Sequence, residues 1–139
     1  MFNIDDMDKP VNLGDGEWVK GLPGHPGVEL KVRTSNYKPF TSAHNALLRG
    51  FGRNAGKAMD SPEYLKAVGE LLAKHILLDW KNAVHEKGKP LPYSEKLALK
   101  ILTSVDDRAM GQTFRDAVTY AASAVAERLL GVAEDIAGN

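Results

Sequence analysis

The chain has 139 residues, its eighteen basic side chains balance eighteen acidic ones, and it contains no cysteine. This length suits one domain, the lack of cysteine excludes disulfides, thiolate metal sites and cysteine nucleophiles, and the balanced charge argues against a general nucleic-acid binder. No apolar run approaches the roughly 20 residues that span a bilayer, and the acidic N-terminus is unlike a secretory signal.

A β-hairpin is predicted at residues 17–34, after a flexible arm and strand lead-in at residues 1–16. Its strands are residues 18–22 and 28–34, and the second strand alternates apolar with charged side chains. The PGHPG sequence between them is rich in turn-forming residues. Because a lone hairpin is marginal in water, we expect its apolar face to pack on helices or on a second subunit. That face consists of Trp18, Leu22, Val28, Leu30 and Val32.

A helical body is predicted at residues 41–132, followed by a frayed tail at residues 133–139. Its first helix begins at Thr41 or Ser42 and runs to about Met59. The glycines at positions 50, 52 and 56 each weaken this helix by about 1 kcal/mol relative to alanine, so it needs packing to persist, or it bends. Basic residues repeat every fourth position along it and form a stripe, namely Arg49, Arg53 and Lys57.

A second helix is predicted at residues 62–86, with Ser61 as its N-cap and Pro62 as its first residue. Gly88 can end this helix by adopting a positive φ angle. We interpret Trp80 as a core residue, because it belongs to the apolar stripe of the helix. The stripe is formed by Leu65, Val68, Leu72, Ile76, Trp80 and Val84.

An extended segment that contains Pro90, Leu91, Pro92 and Tyr93, called the proline connector below, separates this helix from two more. Pro90 and Pro92 forbid a helix and fix an extended segment. Ser94 is a suitable N-cap for a third helix at residues 95–104, and a fourth begins after Asp106 or Asp107, which we interpret as capping carboxylates rather than a catalytic pair. The predicted fold class is α+β, mainly α, in a single domain whose N-terminal β-hairpin packs on a bundle of about four helices.

The polar residues do not form a pattern that indicates catalysis. His75 and Asp79 are four residues apart on the predicted second helix and could begin a zinc site, but the sequence indicates no third ligand and lacks HExxH. The GLPGHPG segment lacks the lysine and the following helix of a phosphate loop, and there is no GxSxG elbow. We therefore expect no metal, no cofactor and no enzymatic activity.

Two groups of residues are candidates for contact with a partner. The proline connector presents side chains on a preordered backbone, which would lose little entropy on binding, and the hairpin contributes one aromatic residue. The basic stripe is typical of a solvated face, but it could also meet an acidic protein or, with Tyr37 and Lys38, nucleic acid. The partner-binding candidates are Trp18, Leu91, Tyr93, Arg49, Arg53 and Lys57.

Four motifs follow one another along the chain at characteristic spacings. They are Asp79-Trp80-x-x-x-Val84, Gly88-x-Pro90-Leu91-Pro92-Tyr93-Ser94, Ala98-x-x-Ile101-Leu102 and Phe114-x-x-Ala117-Val118-x-x-Ala121. This series resembles the tail assembly chaperones of long-tailed, siphovirus-like bacteriophages and prophages, and the likeness covers about residues 17 to 125.

The resemblance implies a non-enzymatic protein that binds the tape-measure protein and helps recruit tail-tube subunits during tail morphogenesis. It also implies action in the cytoplasm of the bacterial host, away from membranes, and absence from the mature virion. We expect helix-in-groove docking and possible self-association into a dimer or larger assembly. The alternatives are a small nucleic-acid-binding phage or bacterial regulator that uses the basic stripe, and an enzyme with a metal at His75 and Asp79.

Overall fold

The structure is a computed structural model that describes residues 14–84, 88–105 and 108–137, with the backbone alone described for residues 108, 109 and 131–137. The predictions for the arm as far as Leu13, and for Asp106 and Asp107 as caps, lie outside the described residues. The predicted fold class is confirmed, because an antiparallel sheet near the N-terminus packs against a mainly helical body.

The sheet has three strands, β1 (Glu17–Val19), β2 (Glu29–Val32) and β3 (Leu77–Lys81), in the order β1-β2-β3. The strands β1 and β2 form the predicted hairpin, and both are shorter than predicted. In the central strand, Leu30 and Val32 are fully buried against the helices. Because side chains alternate along a strand, the charged residues of β2 occupy the outer face of the sheet.

The first helical segment is interrupted at Gly52, so the prediction of one continuous helix to Met59 is wrong. The helix α1 (Lys38–Phe51) is followed by a 3-10 turn at Gly52–Asn54 and by the short helix α2 (Ala55–Ala58). Gly52 has φ 58° and ψ −132°, a conformation that favours glycine. The weakness expected from the three glycines therefore appears as a break at the central one.

The predicted helix at residues 62–86 is wrong at residues 77–84, the part beyond Ile76 that the structure describes. The helix α3 (Pro62–Leu71) begins as predicted, with the Ser61 hydroxyl accepting a 3.2 Å hydrogen bond from the Tyr64 amide, and a π-helical turn, Leu72–Ile76, extends it. The chain then becomes extended and pairs with β2 as β3. The edge of β2 that faces away from β1 needs backbone hydrogen-bond partners, which β3 supplies. Trp80 is buried in this strand, at 5% exposure.

The remaining helices are α4 (Glu95–Leu102) and the 30-residue α5 (Arg108–Ala137). The predicted cap of α4 is confirmed, because the Ser94 hydroxyl accepts a 3.0 Å hydrogen bond from the Leu97 amide. The helical backbone of α5 includes residues 133–137 of the segment predicted as a frayed tail. In the part of the chain that the structure describes, no helix combines the length and apolar character needed to cross a membrane.

The core lies between the inner face of the sheet and the helices α3, α4 and α5. Ala117 and Ala121 are fully buried, so α5 approaches its neighbours closely. The helices α3 and α4 touch through backbone, since a Cβ atom placed on Gly69 would lie 2.0 Å from the Leu102 carbonyl oxygen. The largest fully buried side chains are Leu30, Ile76, Leu77, Leu102, Val32, Val118 and Thr34.

Candidate functional site

The proline connector is fixed to β3 and to the residues that follow it by one side-chain hydrogen bond and by backbone pairing. The indole nitrogen of Trp80 donates a 2.7 Å hydrogen bond to the Leu91 carbonyl oxygen, and the Leu91 amide donates a 2.8 Å bond to the Ala83 carbonyl oxygen. Val84 and Pro90 form an isolated antiparallel bridge. Gly88 has the predicted positive φ, 78°, although it lies between the bridged residues and not at a helix end.

The connector borders an apolar depression of about 360 Å³. Two of its apolar side chains are largely exposed, Val84 at 59% and Met110 at 50%, while Trp80 is buried at 5%. A concave apolar surface with exposed apolar residues is typical of an interaction site. The apolar depression is lined by Gly24, His25, Pro26, Val28, Trp80, Ala83, Val84, Leu91, Ile101, Met110 and Phe114.

The aromatic side chains in and beside the apolar depression contact one another edge to face. The ring of Trp80 meets the rings of Tyr93 and Phe114 edge to face, at centroid distances of 5.0 and 5.8 Å. Phe114 in turn meets the ring of His25 edge to face at 5.9 Å. The PGHPG turn thereby packs on α5 and forms one wall. The Nε2 atom of His25 is buried without a hydrogen-bond partner in the described part of the chain.

Of the connector residues predicted to bind a partner, Leu91 lines the apolar depression and Tyr93 supports it. Both side chains are half-buried and pack against the core. Burial raises the pKa of the Tyr93 hydroxyl, and the carboxylates of Glu95 and Asp79 raise it further. A tyrosine hydroxyl is neutral at physiological pH even without this shift, and the Tyr93 ring contacts the Trp80 ring as an uncharged aromatic group.

Trp18 lies elsewhere, on the outer face of the sheet. It was predicted to share the apolar face of Leu30 and Val32, and this is wrong because the register pairs Trp18 with Lys31. Directly opposite residues of an antiparallel pair point to the same side. The ammonium group of Lys81 lies 4.0 Å from the centre of the Trp18 ring. Trp18 therefore does not contribute to the apolar depression, whose lining residues come from other positions.

The basic stripe is divided between three short elements. Arg49 lies in the last turn of α1, Arg53 in the 3-10 turn, and Lys57 in α2. All three side chains are exposed. Because the helix is broken at Gly52, the four-residue spacing no longer places these cations on one continuous helical face, and none of them lines the apolar depression.

His75 and Asp79 are not on one helix face, as the metal-site alternative requires. His75 lies in the π-helical turn, whereas Asp79 lies in β3 and accepts a 2.8 Å hydrogen bond from the Trp80 amide. Burial lowers the pKa of His75, and the charges of Lys74 and Arg33 lower it further. Over the described ranges, no three His, Asp or Glu side chains are grouped to hold a metal ion.

Arg115 is a buried cation that the sequence analysis did not identify, because it belongs to the polar positions of a helix that is otherwise rich in alanine. Its side chain is 3% exposed, and one nitrogen donates bonds of 3.0 and 2.7 Å to the carbonyl oxygens of Leu102 and Ser104. Burial lowers the pKa of the guanidinium. The positive charge stabilises the carbonyl end of α4, so the residue is structural.

The comparisons with known proteins give a family and no individual relative. Neither a curated protein nor a solved structure matches the chain. A family model described as YdaY prophage protein matches residues 35–139, from the end of the hairpin through α5. The match includes β3, the proline connector and most of the lining of the apolar depression. Because it covers well over half of the chain, this protein belongs to the YdaY prophage protein family.

Proposed function

We propose that this prophage protein is a tail assembly chaperone, which binds the tape-measure protein and helps to recruit tail-tube subunits during tail morphogenesis. It acts without catalysis, in the cytoplasm of the bacterial host, and leaves no copy in the mature virion. Membership of a prophage family supports the phage context. The motif series around Trp80 and the proline connector supports the chaperone assignment. The observation that carries the proposal is the apolar depression.

The apolar depression suits a long amphipathic helix, which is the kind of client that a tape-measure protein offers. Such a helix presents apolar side chains along one stripe and aggregates when the stripe is unpaired. A volume of about 360 Å³ accommodates anchor side chains of a docking helix. Val84 and Met110 offer exposed apolar contact beside it. Because Leu91 is already hydrogen-bonded to Ala83 and Trp80, little ordering entropy is lost on binding.

The test is co-expression with the tape-measure protein encoded by the same prophage, followed by measurement of its soluble fraction and of the complex by size exclusion. We expect co-expression to raise the soluble fraction and a complex to form. The substitution Val84→Asp places a charge beside the apolar depression and should weaken the complex about tenfold or more. The matched control is Leu130→Asp on α5, because Leu130 is exposed to the same degree, 60% against 59%.

Two results would contradict this proposal. One is an unchanged soluble fraction of the tape-measure protein together with no complex. The other is an equal loss of binding in the Val84→Asp and Leu130→Asp variants, which would show that the contact is not at the apolar depression. Circular dichroism of both variants establishes that each remains folded, so that lost binding reflects the surface and not the fold.

A further inference from the structure

The chain is neutral overall, but its charge is unevenly distributed. Residues 31–59 include six basic side chains and no aspartate or glutamate, although the whole chain has eighteen of each sign. This interval runs from β2 through α1 and α2. A local excess of one sign on a neutral protein attracts a partner of the opposite sign and orients it. The six basic residues are Lys31, Arg33, Lys38, Arg49, Arg53 and Lys57.

The helix α1 has one side turned to the core and one side that no described residue covers. None of its residues is buried. On the inward side, His44 Nε2 and the Tyr64 hydroxyl are hydrogen-bonded at 2.8 Å, and the ring of Phe51 meets the ring of Tyr64 at 6.1 Å. These contacts fix which face of α1 points toward α3. The opposite face is therefore the one available to a partner.

The available face combines small residues with cations. At 100° per residue, Ala46 and Gly50 form a ridge one turn long, and both are exposed. A Cβ atom on Gly50 would meet nothing within 4 Å. Lys38 and Arg49 are eleven residues apart, which is three helical turns, so both lie on the same side of this ridge. Their separation along the helix axis is about 16 Å. Leu47, half-buried, borders the other side.

The cations of this surface are not neutralised by any residue that the structure describes. Among the described residues, neither Lys38 nor Arg49 has a side-chain hydrogen bond or ion pair. Arg33, by contrast, is occupied, because it donates to the carbonyl oxygens of Gly14 and His75 and lies over the Tyr37 ring. Lys38 and Arg49 are thus two exposed cations on the outward side of α1, unpaired within the described part of the chain.

We propose that this side of α1 docks a helix of another protein whose facing side chains are acidic. The ridge of Ala46 and Gly50 lets the backbone of the partner helix approach closely, Leu47 packs against its apolar side chains, and Lys38 and Arg49 pair with its carboxylates. The surface is separate from the apolar depression, so the proposal does not depend on the tape-measure assignment. Nucleic-acid interfaces are more polar and more strongly positive than this one, which favours the protein partner.

The test uses two labelled amphipathic peptides of equal length and equal leucine pattern, one with glutamate and one with lysine at the remaining helix-facing positions. Binding to the full chain is measured by fluorescence anisotropy, beside duplex DNA and anionic phosphatidylglycerol vesicles as separate probes. We expect the glutamate peptide to bind at least tenfold more tightly than the lysine peptide and than either other probe. The proposal is overturned if both peptides bind equally, or if DNA or vesicles bind more tightly.

Two variants locate the contact on α1. Lys38→Glu/Arg49→Glu should weaken binding of the glutamate peptide at least tenfold, while Lys74→Glu/Lys96→Glu, which makes the same change of charge at exposed positions elsewhere, should change it less than threefold. Gly50→Leu should also weaken binding, because the added side chain keeps the partner backbone away. Leucine is a better helix former than glycine, so the variant stays folded.

Binding of the glutamate peptide by these variants decides whether the proposal holds. Equal effects of the two double charge reversals, or tighter binding by Gly50→Leu, would overturn the proposal, because charge complementarity and close approach would then not describe the contact. Sedimentation equilibrium of the chain alone gives the last outcome. A dimer that Lys38→Glu/Arg49→Glu dissociates would show that a second copy occupies this face, and would also overturn the assignment to another protein.

Discussion

The indole nitrogen of Trp80 lies 2.7 Å from the carbonyl oxygen of Leu91, so one hydrogen bond joins an edge strand of the sheet to the proline connector. We predict that Trp80→Phe lowers the free energy of unfolding by about 1 to 3 kcal/mol, because phenylalanine keeps most of the apolar contact but cannot donate this bond. Urea denaturation monitored by circular dichroism measures the change.

The control for this prediction is Trp18→Phe, which makes the same chemical change on the exposed face of the sheet. Trp18 is half-buried, and no hydrogen bond of its indole is among those of the described residues. We expect it to cost less than about 1 kcal/mol. A loss at Trp18 as large as that at Trp80 would show that the bond to Leu91 has no special part in stability.

The close contact between α3 and α4 predicts a large effect of one methyl group. In Gly69→Ala, the new Cβ atom would lie 2.0 Å from the Leu102 carbonyl oxygen and 2.6 Å from its carbon, and backbone atoms cannot rotate away. We expect a loss of about 3 kcal/mol or more, at the upper end for overpacking. The comparison is Gly56→Ala, where nothing lies within 4 Å and no loss is expected. Thermal unfolding of both variants distinguishes them.

The N-cap of α4 offers a test of local structure. The Ser94 hydroxyl accepts a hydrogen bond from the Leu97 amide at 3.0 Å. Ser94→Ala should cost about 1 kcal/mol, because that amide loses its partner, whereas Ser94→Asp should retain the stability. Ser123→Ala, at an exposed position within α5, serves as the reference and should be neutral or stabilising. A loss in Ser94→Asp equal to that in Ser94→Ala would contradict the cap.

His75 makes stability depend on pH in a direction set by its surroundings. Its pKa is lowered by burial and then by Lys74 and Arg33, so the folded state binds this proton more weakly than the unfolded state does. The contribution is therefore fully present above the unfolded pKa of about 6.5 and is lost as pH falls through the lower folded pKa. We expect His75→Gln to reduce the loss of stability between neutral and mildly acidic pH.

Proton NMR gives a direct check of the same group. The imidazole resonance of His75 should titrate at a lower pH than that of a free histidine. A midpoint at or above the free value would contradict the prediction, whatever the unfolding data show. The NMR measurement is needed because carboxylates also titrate in the acidic range and contribute to the slope of stability against pH.

Much of the secondary structure follows from local chemistry and could be predicted. Ser61 and Ser94 cap the helices they precede, and Gly88 takes the positive φ expected of it. The alternation of charged and apolar side chains predicted β2, whose inner residues Leu30 and Val32 are fully buried. These features depend on neighbours a few residues away, so the sequence contains the information needed to predict them.

The tertiary structure decided that residues 77–81 form a strand and not a helix. Their apolar spacing is that of a helix. The edge of β2 that faces away from β1, however, carries backbone N–H and C=O groups, and an extended segment can pair with them. The same pairing places Trp80 against Phe114 and lets its indole nitrogen bond the Leu91 carbonyl oxygen of the connector. The apolar depression could not be predicted for this reason: its lining comes from the turn, β3, the connector and two helices, which are distant in sequence and meet only in the folded structure.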